Sequence, residues 1–487
     1  MDIVARFNKI ALKYPNNYAV YENKIKFTYK NLFNISITIA TNLNKISKSP
    51  KVLILLPQGA YAYASMFGSL ISGGYYTPCN VDAPKKKIQN IVDLFKPNII
   101  IYNKTTYKKL SKQIKSSSKI ININKLIKQK KAFNSKFKIN KNAYVCFTSG
   151  STGSPKGVII SRKALSAYID WAIKSMKLNH KDRWSQHPNI SFDLSVLDIY
   201  GALCSGGSLF PLNLSVDRMF PAIAVKKYNL TIWNSVPSVI SMMMQARQLT
   251  SSNIKSLRLA TFCGEPLLRE HIEAIFKIKN NIIVHNTYGP TEATVSMTLL
   301  KITSKTNFDK ICRESVALGK PIANMGLHLI GGKNKNEGEI VITGPQVAEG
   351  YWKLPKESRK SFKNLKIKNK YVKSYYTGDW AIKDNGNLFF KNRLDNQAKI
   401  KGFRIELEAI DKFVRQITKY LSKSLVLNNQ LYCFIECKSD QINLKVLIKK
   451  FKETFDEYSI PDSYIFLKHF PRNQNDKIDL KQLVFKI

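Results

Sequence analysis

The run Thr148-Ser149-Gly150-Ser151-Thr152-Gly153-Ser154-Pro155-Lys156-Gly157 follows directly on the apolar stretch AYVCF. Its three glycines free the backbone to turn N–H groups toward an anion, its hydroxyls add donors, and Lys156 supplies a mobile positive charge. Such a loop is built for phosphate. The residue order is not the GxxxxGK[ST] of a Walker loop, which sets the P-loop kinases and GTPases aside. Transition-metal chemistry has no comparable signal, because the six histidines form no HExxH or similar ligand pair. The seven cysteines, at 79, 146, 204, 263, 312, 433 and 437, are odd in number and lack CxxC spacing. They read as small core residues and not as a disulfide framework or zinc ribbon.

A phosphate loop needs a rigid frame. In the middle of the chain, short β-rich runs (AYVCFTSG, RWSQHP, TIWNSVP, LRLATFCGE, IIVHNTYGP) alternate with helical stretches such as RKALSAYIDWAIKSM and LLREHIEAIFKI. This alternation predicts βαβ units and a large α/β domain of mainly parallel sheet. Earlier, KVLILLP and NIIIY are apolar runs of the kind that become buried parallel strands, flanking a helix over about 60–71, and they predict a second sheet layer. From about Lys320 the texture turns to GEIVITG and GNLFFKNR, expected as antiparallel strands of a small β subdomain. Beyond Asp395 two helical stretches and the strand candidate LYCFIEC are enough for a compact α+β domain. The expected division is therefore 1–394 and 395–487, with the hinge at Asp395.

The 487 residues are 44% hydrophobic and 11% aromatic, which excludes disorder and fibrous repeats. No apolar run approaches 18 residues, and the opening MDIVARFNKIALKYP carries charges where a signal peptide needs an apolar stretch, so a cytoplasmic protein without membrane insertion is expected. The net charge of +45 would ordinarily point to nucleic acid. Only 13 of the 78 basic residues are arginine, however, and the lysine excess accompanies abundant Ile and Asn, the mark of AT-rich codons. The stretch Lys104 to Lys141 holds 13 lysines and no acid, but lacks the interleaved aromatics and arginines of a stacking platform. No nucleic-acid partner is expected, whereas an acidic protein could exploit the field.

TSGSTGSPKG resembles the phosphate loop of the adenylate-forming superfamily, which includes acyl-CoA synthetases, luciferases and amino-acid adenylation domains. Four further segments follow in that family's order: Asn286-Thr287-Tyr288-Gly289-Pro290-Thr291-Glu292, Tyr376-Thr377-Gly378-Asp379, Arg393-Leu394-Asp395 through Lys399-Ile400-Lys401-Gly402, and Asn475-Asp476-Lys477-Ile478-Asp479. The resemblance spans nearly the whole chain. It implies ATP and Mg²⁺ as cofactors, and a reaction in which a carboxylate attacks the α-phosphorus of ATP before a thiol attacks the acyl-AMP. By this resemblance Thr148, Ser149, Gly150, Ser151, Thr152, Gly153 and Lys156 cradle phosphate, Thr148 and Glu292 act in catalysis, and Lys477 is the catalytic lysine. Gly264 and Glu265 of FCGEPL, with Asn286, Thr287, Tyr288, Gly289 and Thr291, line the nucleotide. Chemistry agrees with these roles: Tyr288 can stack on adenine while the Asn286 amide bonds its edge, Glu292 is a hard oxygen ligand for Mg²⁺, and Asp379 can accept both ribose hydroxyls with Arg393 reaching the same nucleotide. Two positions depart from the family pattern, Asn392 and Asp476 standing where glycines are usual before the hinge arginine and the catalytic lysine.

The segment Ile190-Ser191-Phe192-Asp193-Leu194-Ser195 resembles the amino-acid-activating branch, whose aspartate pairs with the substrate's α-ammonium. Asp193 could alternatively cap the helix that follows. FDLSVLDIYGALCSGG, FCGEPL and NTYGPTEATVSMT look closest to stand-alone members that activate D-alanine for a carrier protein, with Cys263 and Val295 at small-pocket positions. The chain ends four residues after Leu483, so the expected acceptor is a phosphopantetheinylated acyl carrier protein in trans. Other readings are another small amino acid or short carboxylic acid passed to a carrier or coenzyme A, and, from a different class, a basic nucleic-acid-binding pseudoenzyme.

Overall fold

The computed structural model describes residues 1–22, 25–106, 116–128, 140–148, 155–394, 397–400, 402–472 and 478–487. Two compact units emerge: Met1–Val81 with Val92–Phe147 and Gly157–Leu394, and Asp82–Ile91 with Thr148–Lys156 and Asp395–Ile487.

In the first unit the βα alternation builds a nine-stranded sheet. Six neighbours, Ile283–Tyr288, Leu259–Phe262, Ile232–Ser235, Arg183–Gln186, Ser208–Pro211 and Tyr18–Glu22, run parallel, and antiparallel strands close both edges. Strands covered on both faces need no polar alternation: Ile232 joins one apolar core and Trp233 the core on the opposite side. A second, seven-stranded sheet contains the runs KVLIL and IIIY as parallel neighbours, Lys51–Leu55 and Ile99–Tyr102. The turn-rich region forms a five-stranded antiparallel sheet that includes Glu337–Thr343, Lys370–Asp384 and Asn387–Arg393, as the sequence predicts.

One placement differs from the sequence pattern. The AYVCF strand, Asn142–Thr148, lies in the seven-stranded sheet beside Tyr75–Pro78 and Lys156–Ser161, not with the RWSQ and TIWNS strands. A short apolar run states that a strand is buried but not which sheet receives it. The consequence falls on the segment expected to bind phosphate, because Lys156 opens a strand and the helix Arg162–Ser175 begins only after that strand ends.

The second unit contains a two-stranded ribbon, Gln397–Ile400 with Phe403–Glu406, followed by the helix Leu407–Thr418. Three strands, Ser422–Leu427, Gln430–Glu436 and Ser463–Leu467, form its sheet. Ile405, Val414, Cys433, Ile435, Leu447 and Phe451 make its core. All seven cysteines of the chain are buried and unbridged, as small core residues should be. No helix among the described residues is long and apolar enough to cross a membrane.

Gly157 corrects one detail of the loop reading. A Cβ there would stand 2.8 Å from Val145 Cγ1 and 3.0 Å from both Phe147 Cε1 and Trp352 Cβ, while its carbonyl accepts from Trp352 N at 2.7 Å. Close packing, and not turning freedom, requires glycine here. Gly157→Val is therefore expected to lower stability by about 1–3 kcal/mol through overpacking. Chemical denaturation of the variant and the parent checks this; equal midpoints would refute it.

Candidate functional site

Strand register brings the first pair of site residues together. Asp379 and Arg393 face each other across the antiparallel strands Lys370–Asp384 and Asn387–Arg393, and the Arg393 guanidinium pairs closely with Asp379 Oδ1. Arg393 Nη2 also donates to Thr377 O at 3.1 Å. From the nine-stranded sheet, Tyr288 Oη donates to Asp379 Oδ2 at 2.5 Å. Burial first, then the neighbouring Asp379 charge, pushes the Tyr288 phenol well above its usual range, so it remains a donor. The turn below the carboxylate is held by Thr377 Oγ1, which accepts from Asp379 N at 3.0 Å, and by Glu339, whose Oε1 accepts from Gly378 N at 2.8 Å.

The turn after Tyr288 carries the second group. Thr294 and Val295 have φ of +56° and +74°, left-handed values that a β-branched residue adopts only where its surroundings impose them. Those surroundings are specific: Met297 N donates to Tyr288 O at 2.8 Å, and Thr294 Oγ1 donates to Gln346 O at 2.7 Å. A Cβ on Gly289 would meet Ser296 Cα at 2.5 Å, so the doubled-back chain requires glycine there. Cys263 Sγ, 4% exposed, lies 3.9 Å from Val295 O, which joins the two predicted small-pocket residues directly. Tyr168 Oη stands 3.2 Å from Ser296 Oγ behind them.

Glu292 is 1% exposed and accepts from Tyr351 Oη at 2.8 Å. It offers hard oxygen, and the described residues hold no cluster of three or more His, Cys, Asp or Glu. That donor set fits Mg²⁺ held through one carboxylate and a substrate's phosphates, and does not fit a cage made by protein alone. Several predicted nucleotide residues use their side chains on the frame. Asn286 Nδ2 donates to Ala317 O at 2.9 Å, Thr287 Oγ1 to Phe262 O at 3.0 Å, and Glu265 Oε2 accepts from Ser238 N at 2.8 Å at the start of the helix Ser238–Gln245. Gly264 has φ +95°, and Thr291 O accepts from Thr294 N at 3.0 Å within the same turn.

Asp193 lies half-buried in the turn that precedes the helix Ser195–Leu203. The N-cap of that helix is Leu194 and not Asp193, and Leu194 makes no side-chain cap bond. One turn further, Asp198 is fully buried and accepts from Asn234 Nδ2 at 2.9 Å; burial holds its carboxyl well above the usual range. Of the two acids in FDLSVLD, the fold thus leaves one half-buried and places the other in the core, where burial raises its carboxyl.

Within the second unit, Thr148 Oγ1 donates to Lys156 O at 3.4 Å, and Lys156 Nζ is 3.9 Å from Glu406 Oε1. Glu406 is 5% exposed and also accepts from Gln397 Nε2 at 2.6 Å. Ser149, Gly150, Ser151, Thr152, Gly153, Asp395 and Lys477 lie outside the described residues. Sequence reasoning missed Tyr351, Glu339, Asp198 and Glu406. Asp198 had a signal, a carboxylate in the otherwise apolar helical stretch VLDIYGAL, and the other three had none.

Residues 7–352 match the family model described as AMP-binding enzyme, and the chain belongs to that family of ATP-using, AMP-forming enzymes. Among its curated relatives are D-alanine–D-alanyl carrier protein ligases of Staphylococcus epidermidis, 31% identical over 99% of this chain and 98% of that protein, and of Staphylococcus aureus, 30% identical with the same coverage. Among solved structures, the Vibrio cholerae adenylation domain AlmE, in complex with glycyl-adenosine-5'-phosphate, superposes with a TM-score of 0.85 at 24% identity, covering 100% of this chain and 97% of that one.

Two outcomes follow from the geometry. Asp379→Asn leaves Arg393 buried without its counter-charge, a loss on the order of 3–5 kcal/mol, whereas Tyr288→Phe removes one hydrogen bond to a charged group at about 1.5–3 kcal/mol. Denaturation without nucleotide should rank the variants in that order; the reverse order would refute the assignment. His285, in the same strand as Tyr288, and His187 are both pushed down to about 4, chiefly by burial. Below the ordinary imidazole value of about 6.5 the unfolded chain takes up protons that the folded chain refuses, so these groups should remove stability as pH falls from 6.5 toward 4. His285→Gln should flatten that part of the stability profile, and an unchanged slope would count against a neutral buried imidazole.

Proposed function

We propose that this protein activates D-alanine as D-alanyl-AMP, releasing pyrophosphate, and transfers the D-alanyl group to the phosphopantetheine thiol of a separate carrier protein. The observation that carries this reading is the full-length likeness to D-alanine–D-alanyl carrier protein ligases. It is supported by Cys263 and Val295 in contact beside a strained turn, a combination that suits a methyl group. Asp193 receives the α-ammonium. A carboxylate oxygen of the substrate attacks the α-phosphorus of ATP and the bond to pyrophosphate breaks; the carrier's sulfur then attacks the acyl carbon, AMP leaves, and the thiol proton passes to solvent.

Proton transfer is not the obstacle in the first step, which brings two anions together. Charge neutralisation and alignment carry it, through Lys156 and the loop Thr148 to Gly153, and through Lys477 at the reacting phosphate. Mg²⁺, when bound, neutralises charge on the phosphates, and Glu292 is the residue to hold it. Tyr288 faces adenine, Asn286 holds the backbone beside it through its amide, and Asp379 and Arg393 face the ribose. One lysine cannot serve both halves of the reaction, so Lys477 withdraws and the segment at Gly402 takes its place by a turn about Asp395. The carrier is acidic, and the net charge of +45 speeds its approach from cytoplasmic solution. Nucleic acid has no part in the cycle.

Amino-acid-dependent pyrophosphate exchange tests the reading. D-alanine should give the highest kcat/KM among D-alanine, L-alanine, glycine, serine, acetate and propionate. Cys263→Ala should shift the D- to L-alanine ratio toward L-alanine by roughly 10- to 200-fold at most, the effect of a methylene-sized change in an apolar pocket. Preference for an acid without an ammonium group would overturn the proposal.

A further inference from the structure

Behind Asp193, on the side of the helix Ser195–Leu203 that meets the seven-stranded sheet, lies a small enclosed space with room for about one water molecule. Its walls are mostly apolar, among them Met66, Ile190 and Ile199, but Asp193 and the tyrosines Tyr76, Tyr144 and Tyr200 also line it. Two of the phenols satisfy each other, with Tyr76 Oη 2.7 Å from Tyr200 Oη. Ser195 Oγ is engaged with Phe192 O at 2.7 Å. Tyr144 differs: it is 2% exposed and its hydroxyl has no hydrogen-bond partner.

An unmade hydrogen bond of this kind is costly, because a buried hydroxyl loses its water without compensation. Tyr144 is held tightly in place. It lies in the strand Asn142–Thr148 that ends at the phosphate loop, in register with Tyr76, whose ring it meets at 5.7 Å. Electrostatically it senses Asp193, whose charge, after burial, Cys146 and Tyr76, helps to raise the phenol above its usual range. The hydroxyl is therefore a protonated donor, in the same confined space as a carboxylate that reaches the protein's exterior on its other side.

We propose that Tyr144 is a positioning residue for amino-acid capture: through one water in the space they share, its hydroxyl donates toward the Asp193 carboxylate, favouring the ionised form that meets the substrate's ammonium. This rests on the assignment of Asp193 to the ammonium. Tyr144 touches no substrate. It adds a donor that favours the ionised carboxylate over the protonated one.

The test is Tyr144→Phe, which keeps the ring and deletes the donor, with Tyr76→Phe deleting a hydroxyl of the same space that already has a partner. In pyrophosphate exchange, Tyr144→Phe should raise the amino-acid KM roughly 10- to 100-fold, the scale of one hydrogen bond to a charged group, with the ATP KM unchanged. The acidic limb of kcat/KM for the amino acid should also move to higher pH, because a carboxylate that has lost a donor ionises less readily. Tyr76→Phe should produce neither effect. A Tyr144→Phe protein with unchanged amino-acid KM and pH profile, whether or not it is more stable, would overturn the role of the tyrosine, as would equal effects from both variants. Wild-type exchange driven only by acids without an ammonium group would instead remove the assignment of Asp193, and the two failures are thereby distinguished.

Discussion

A carboxylate with 2% exposure must be answered by donors, and Asp379 organises the first unit around that requirement. Its two oxygens draw Tyr288 from the nine-stranded sheet and Arg393 from the neighbouring strand of the five-stranded sheet. Neither partner is optional, because loss of either leaves charge or polarity buried without compensation. The turn beneath is fixed for the same reason, with Thr377 and Glu339 each taking a backbone N–H that would otherwise be orphaned. Arg393 ends only one residue before the last residue of this unit, Leu394, whose N–H bonds Gly378 O at 2.8 Å. The Asp379 cluster and the exit of the chain from the unit are therefore one hydrogen-bonded structure.

The turn after Tyr288 depends on strain that its neighbours impose. Left-handed φ at consecutive β-branched residues costs energy, and the bonds from Thr294 to Gln346 and from Met297 to Tyr288 offset it. What the strain secures is the direction of the Val295 carbonyl toward Cys263 and the closeness of Ser296 to Gly289. A turn held by backbone contacts in this way is stiff.

The charge balance also shapes the interior. With 33 acids against 78 bases, a buried acid has no shortage of cations, and the structure uses them: Asp182 takes two bonds from Arg258, Asp2 two from Arg162, and Glu406 faces Lys156. Asp198 instead has an amide partner at Oδ1, and burial raises its carboxyl well above the usual range. The remaining lysines set up a long-range field that attracts anions and acts on association rates more than on the fold.

By itself the sequence determined the element types, the parallel character of the large sheets, the antiparallel character of the region after Lys320, and the chemical kind of each site residue. These depend on periodicity and side-chain chemistry over a few residues, which short segments state on their own. The tertiary structure decided what no segment contains. It placed the AYVCF strand in the second sheet, gave Gly157 a packing reason, turned the amides and hydroxyls of Asn286 and Thr287 onto the frame, and separated the fates of Asp193 and Asp198. Tyr288 and Asp379 are 91 positions apart, and Tyr351 and Glu292 are 59 apart. Whether such groups meet, and which of their atoms are left for a ligand, is settled by the burial and packing of the whole chain, where a polar atom must find a partner wherever the fold has brought one.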